Sequence, residues 1–384
     1  MKDYELFYAT NRNHVGPERF RPQAYGPSFS NDGLENLRFG RLTVSADETV
    51  VAAALAARNA GAAVDGEALA NHFEACMASC RITAYEEQID RSIHEDHQPA
   101  VLGSDAFFAD LGLLMRGGTD VVVFVHGFNV SWTRAVASAL ALEASLNRED
   151  GRDPKQRAKV VLFTWPSDGL ALPFVSYKSD RTEAAASGYA IGRAFLRLRD
   201  FLATLKDRSA PEELCGQSIH LLCHSMGNYV LENALVRLGE HSAGRALPRM
   251  FEYVFLCSAD VDDDALEPGN GLGRVHEIAR RVSVYSNRGD KALVISDYTK
   301  GNPERLGSNG AANARQLHNK IELLDASFLL IPGIVEHSYY ASGATNLDIR
   351  HSIEGVDPAD PVRLRLPEGS ISSKWILVER RQVN

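Results

Sequence analysis

The sequence predicts an α/β fold: a mostly parallel central sheet covered by helices on both faces. Three observations carry this. Apolar runs of strand length recur from residue 119 onward: DVVVFVHG (120–127), KVVLFTW (159–165), SIHLLCH (218–224), EYVFLCS (252–258) and RVSVYS (281–286). Each run is apolar along its whole length, the pattern of a strand buried on both faces. Helical stretches separate the runs, and strand–helix alternation builds parallel pairs through crossovers. A chain of 384 residues, 45% of them hydrophobic, can bury such a core. We read 1–384 as a single domain, with 47–118 a partly helical N-terminal insertion and 166–180 a candidate flap.

The elements follow in order. YELFYATN (4–11) and LRFGRLTVSA (37–46) read as strands added antiparallel at one edge of the sheet. Residues 47–80 are alanine-rich and helical in composition. SIHEDHQPA (92–100) is a polar connector, and its His94 and His97 read as solvated side chains, since a metal site needs more ligands. Residues 132–147, rich in Ala and Leu, read as a helix. Pro166 closes the run at 159–165, and a polar loop continues to about 180. Apolar residues at 191, 194, 195, 198, 201, 202 and 205 form a helical stripe. Residues 226–238 follow the third run as a helix, with Gly239 as its stop. Asp262–Asp264 read as the start of a short helix, and their spacing is not that of a calcium-binding loop. The tail from 352, with PADPVRLRLPEG, is turn-rich and is expected on the surface.

Composition narrows the function. The net charge is −9, with acidic and basic residues mixed. No Lys/Arg cluster offers a phosphate-binding face, which argues against nucleic acid as a partner. MKDYELFYATNRN lacks the apolar core of a signal peptide, and no run approaches the ~20 apolar residues of a membrane span. Five cysteines, at 76, 80, 215, 223 and 257, are an odd number, and Cys223 and Cys257 lie in apolar runs. They read as reduced thiols of a cytoplasmic protein. Cys76 and Cys80 have helical spacing without two further soft ligands, so neither metal nor cofactor is expected.

Chemistry enters with CHSMGN (223–228). An apolar strand ends at His224, and an amphipathic helix begins just after Ser225. Ser225 is either an ordinary helix N-cap or a nucleophile on a tight turn. A tight turn demands small residues two before and two after the serine. Here they are Cys223 and Gly227, a departure from the Gly-x-Ser-x-Gly pattern that cysteine is small enough to allow. VVVFVHGFNVSW (121–132) favours the nucleophile, because a strand ending in His-Gly can supply a backbone donor beside it.

With these motifs the chain resembles the α/β hydrolases, and within them a bacterial branch catalogued as an α/β hydrolase of unknown function. The matching pieces are FYATNRN (7–13), LRFG (37–40), VFVHGFNVSW (123–132), FTWPSDG (163–169), YKSDRTEAAASG (177–188), CHSMGN (223–228), DVDDDAL (260–266), VYSNRGDKAL (284–293) and HSYY (337–340). They occur in order over most of the chain, and residues 50–100 match least. The resemblance implies an α/β-hydrolase fold and an oxyanion hole formed by the Phe128 and Met226 amides. It also implies the chain order nucleophile, acid, histidine. That order makes His126 a structural brace and not the base.

A serine nucleophile needs a base, and the base needs an acid. Asp290, after the strand that ends in VYS, is the preferred acid, and the resemblance also favours it; Asp260, after the preceding strand, is the competitor. His318, His337 and His351 follow in the chain. His318 and His351 sit in stretches that read as helix. His337 follows an apolar run in a loop with Pro332 and Gly333, and it is the preferred base. Phe128, Trp132, Trp165, Leu170, Leu172, Phe174, Tyr177, Tyr339 and Tyr340 flank these loops and would suit acyl or aryl groups, although at least half of them should pack the core. The expected function is a carboxylesterase-like serine hydrolase acting on a small-molecule ester through Ser225, His337 and Asp290. Acyl transfer, thioester or amide cleavage by the same residues, or a binding module with a vestigial site, are the alternatives.

Overall fold

Eleven strands form one sheet in the computed structural model, which describes residues 1–56, 58–59, 62–87, 102–148, 157–167, 173–208, 216–242, 244–293, 304–329 and 337–379. In chain order the strands are Lys2–Thr10 (β1), Arg38–Ala46 (β2), Arg81–Ala84 (β3), Thr119–Val125 (β4), Arg157–Thr164 (β5), Ile219–His224 (β6), Phe251–Cys257 (β7), Ala279–Ser286 (β8), Ile321–Asp325 (β9), Arg365–Pro367 (β10) and Lys374–Leu377 (β11). Across the sheet they run β10-β11-β9-β8-β7-β6-β4-β5-β1-β2-β3. The pairs from β11 through to β1 are all parallel. β2 and β3 add antiparallel beyond β1, and β10 adds antiparallel at the other edge. With helices on both faces, this is an α/β-hydrolase fold with N-terminal strands at one edge.

Strand periodicity divides the interior in two. In β4, β6 and β7, residues Val121, Val125, Leu221, Cys223, Val254 and Leu256 face one core, while Val122, Phe124, Leu222, Tyr253 and Phe255 face the other. The first core is closed by the helices Gly103–Arg116 (α3), Pro173–Arg208 (α5) and Gly227–His241 (α6). The second is closed by Glu48–Ala56 (α1), Gly66–Ala75 (α2), Trp132–Leu146 (α4) and Gly343–Ile353 (α7). The first crossover carries the chain from β4 to β5 on one side; the next returns it to β6 on the other. The strand order therefore reverses at β4, and in open α/β sheets the place for a ligand is outside the carboxyl ends of the strands at such a reversal, here β4 and β6.

Several expectations need correction. Residues 173–180 are not loop: they form the first turns of α5, which is 36 residues long. Tyr177, Asp180, Ala184, Ser187, Ile191, Phe195 and Leu198 are among its buried positions, and the polar members hid the stripe. Gly239 does not stop α6, which runs to His241 and ends where the Ser242 hydroxyl donates to the Leu238 carbonyl. Asp262–Asp264 form turns rather than a helix, with Asp262 bridged to Arg305. His318 lies just before β9, not on a helix. The tail is more than surface: β10 and β11 belong to the sheet, and the fully buried Arg363 and Arg365 both bind the Asp348 carboxylate of α7. Tyr285 donates to the same group at 2.7 Å. The connector at 92–100, Leu170, Leu172 and Cys215 lie outside the described residues.

Candidate active site

Ser225 follows β6 directly, at φ 53°, and α6 starts two residues later. A serine in this left-handed region is strained. Hydrogen bonds hold it there. Its N–H donates to the Cys257 carbonyl at 2.9 Å, and its own carbonyl accepts from Asn228 N (3.0 Å), Asn228 Nδ2 (2.9 Å) and Asp260 N (3.2 Å). The turn fits only because of its small neighbours. A Cβ on Gly227 would lie 2.5 Å from the Val125 carbonyl oxygen, and one on Gly127 would lie 2.7 Å from the Ser225 Cβ. Cys223 replaces the first glycine of the usual motif without disturbing the turn, because its side chain packs into the core beneath α6.

His337 Nδ1 lies 2.8 Å from Oδ2 and 3.0 Å from Oδ1 of Asp290. The Asp290 carboxylate is fully buried and also accepts from Ala292 N at 3.1 Å. A carboxylate cannot donate when ionised, so this pairing puts a ring proton on Nδ1, and in the neutral ring Nε2 is then the acceptor. The His337 ring stands 4.7 Å from that of His224, the residue preceding Ser225. Among the described residues the Ser225 hydroxyl makes no hydrogen bond, to His337 or to any other group. Such contacts are commonly loose in the absence of substrate.

Asp260 is engaged elsewhere. Its carboxylate accepts from the Tyr177 hydroxyl (2.9 and 3.1 Å) and lies 3.4 Å from Arg305 Nε. It ties the start of α5 to the loop after β7. His318 stacks on His276 at 4.1 Å, and His351 is buried in α7.

The loop after β4 carries Phe128 and Asn129, the latter at φ 57°. His126 beneath it is buried, stacked on Trp165 at 5.3 Å, and braces the loop. Its Nδ1 meets the Gly127 carbonyl at 2.8 Å and its Nε2 meets Thr164 Oγ1 at 2.9 Å. The carbonyl can only accept, so Nδ1 carries the proton, and Thr164, itself accepting from Arg12 Nε, donates to Nε2. Burial, aided by the nearby Arg12 cation, pulls the His126 pKa down to about 3, so the ring is neutral. The carbonyl and N–H of one trans peptide point opposite ways. Holding the Gly127 carbonyl toward His126 therefore turns the Phe128 N–H to the other side. Arg12 Nη2 donates to the Val130 carbonyl at 2.7 Å, Ser167 Oγ accepts from Val130 N at 3.0 Å, and Asp180 accepts from Asn129 N at 2.9 Å. Among the described residues, neither the Phe128 N–H nor the Met226 N–H donates to a protein group.

A family model described as alpha/beta hydrolase of unknown function matches residues 111–350. The chain belongs to that family. As an alpha/beta hydrolase its expected chemistry is hydrolysis, and the matched span takes in the loop after β4, Ser225, Asp290 and His337. No curated protein matches the chain, and no solved structure does. No helix among the described residues is long and apolar enough to cross a membrane.

Of the aromatic residues flanking the site, Phe128 and Tyr177 meet edge to face at 5.6 Å beside it. Trp132 packs among Tyr8 and Tyr25, Trp165 is buried on His126, and Tyr339 and Tyr340 are buried as well. The side chain of Phe174 lies outside the described residues. Sequence reasoning missed Arg12, Thr164, Ser167, Asp180, His224 and Ser258. All but Ser258 sit inside the motifs that carry the resemblance, and Ser258 ends the apolar run at 252–258; they are polar residues at the ends of apolar runs or at helical spacing.

Proposed function

We propose that this alpha/beta hydrolase is a serine esterase that cleaves a small-molecule carboxylic ester through an acyl-enzyme. The observation that supports it most is the pairing of His337 Nδ1 with the buried Asp290 carboxylate, at the sheet rim that also carries Ser225. Ser225 Oγ bonds to the ester carbonyl carbon while its proton passes to His337 Nε2. The Phe128 and Met226 amides take the oxyanion, and the N-terminus of α6 adds its dipole. The bond to the leaving oxygen then breaks, and that oxygen takes the proton from Nε2. Water attacks the acyl carbon, giving its proton to Nε2. The bond to Ser225 Oγ breaks, and the hydroxyl regains a proton. Ester and water become acid and alcohol. Asp290 orients the ring and stabilises its charged form.

Hydrolysis of a short nitrophenyl ester, with labelling by a fluorophosphonate probe, tests this. Ser225→Ala should lower kcat by about 10⁴-fold or more and abolish labelling, with the thermal melt nearly unchanged. Asp290→Asn should be similarly severe, and Asp260→Asn should act mainly on stability, since Asp260 touches Tyr177 and Arg305. An unlabelled wild-type protein, or full turnover in Ser225→Ala, would end the reading.

A further inference from the structure

We propose that His224 and Ser258 are positioning residues for the imidazole of His337, acting through its main-chain carbonyl. The inference rests on His337 being the base. That carbonyl accepts from His224 Nε2 at 3.0 Å and from Ser258 Oγ at 2.8 Å. Two donors engage one oxygen, enough to occupy both of its lone pairs. The carbonyl can only accept, so His224 carries its proton on Nε2. The next residues are anchored too. Tyr339 donates to the Tyr285 carbonyl at 2.9 Å and accepts from Ser258 N at 3.2 Å. The Tyr340 ring lies 4.7 Å from the His224 ring.

Segment 337–340 is thus registered on the ends of three adjacent strands, β6, β7 and β8. Ser225 follows the first of these strands directly, and Asp290 follows the third within four residues of its end at Ser286. One clamp sets the base relative to both of its partners. Ser258 sits at φ 47°, a strained position for a serine, and that strain is kept where its hydroxyl and its N–H both contact the base segment. The chemistry of His224 suits the place. Burial, together with the neighbouring His337, holds its pKa well below the usual histidine range. It therefore donates as a neutral ring and sets no fixed positive charge beside an imidazole that must become cationic.

The test compares His224→Phe, which keeps a ring against Tyr340 and His337 but loses the donor, with His224→Gln, which restores an N–H. His224→Phe should lose about ten- to hundredfold in kcat, with KM changing by less than about twofold, as expected of a displaced but present base. His224→Gln should recover most of that loss. The low-field proton resonance of the His337–Asp290 hydrogen bond should stay sharp in wild type, Ser225→Ala and His224→Gln, and broaden in His224→Phe. Ser258→Ala should act in the same direction, and it serves as the test if His224→Phe fails to fold. Wild-type kcat and an unaltered resonance in these variants would overturn the proposal. Turnover by Ser225→Ala would instead overturn the esterase reading, and the resonance in that variant would still report on the clamp.

Discussion

Acidification from pH 8 to pH 5 should destabilise this protein through His126 by an amount that can be worked out. In the native state this ring is buried against Trp165, donates to Gly127 and accepts from Thr164, and its pKa is pulled down to about 3. In the unfolded chain it titrates near the ordinary value of about 6.5. The unfolded state therefore binds a proton that the native state refuses, so stability is fully present above pH 6.5 and is lost as the pH falls. At pH 5, which is 1.5 below the unfolded value, about 1.4 kcal/mol per unit gives a loss of about 2 kcal/mol. The loss approaches about 5 kcal/mol only near pH 3. Urea unfolding at both pH values measures it, with His126→Asn as the control. Asparagine can still donate to the Gly127 carbonyl but cannot titrate. The variant should be less stable than wild type at pH 8, yet its loss between pH 8 and 5 should be smaller by about 2 kcal/mol. His224, whose pKa is depressed mainly by burial and by His337 and least by His126, acts nearly equally in both proteins and largely cancels. Equal losses in the two proteins would refute the account of His126 as a buried neutral brace.

Two further outcomes follow from packing and charge. Gly127→Ala puts a methyl 2.7 Å from the Ser225 Cβ and 3.2 Å from its Oγ. It should lower kcat for a nitrophenyl ester by about 10²-fold or more, while circular dichroism still reports a folded chain. Asp348→Asn leaves the fully buried Arg363 and Arg365 without their shared carboxylate. It should cost about 3–5 kcal/mol in urea unfolding, with the deficit unaffected by ester concentration.

Much of the fold was legible because its signals are local. The runs at 120–127, 159–165, 218–224, 252–258 and 281–286 are apolar on both faces, and each became a strand of the parallel sheet. The start of α5 was not legible, because Asp180 and Ser187 occupy buried helix positions where apolar residues were sought. They are tolerated because Asp180 meets Asn129 N and Ser187 meets Asn11. The tail misled for the same reason: Arg363 and Arg365 look solvent-seeking until Asp348 is placed between them.

The sequence alone determined the candidates for the chemistry: a serine between a strand and a helix, a His-Gly turn, and an acid and a histidine later in the chain. It preferred Asp290 but kept Asp260 as a rival, since both follow a strand. Only the tertiary structure decided which carboxylate faces His337. The same is true of Arg12, which reaches a carbonyl 118 residues away, and of His224, which holds His337 across 113. Hydrophobic periodicity is a property of neighbours along the chain and can be read there. Polar partnership depends on the lateral order of strands in the sheet, and that order is set by how the crossovers pack.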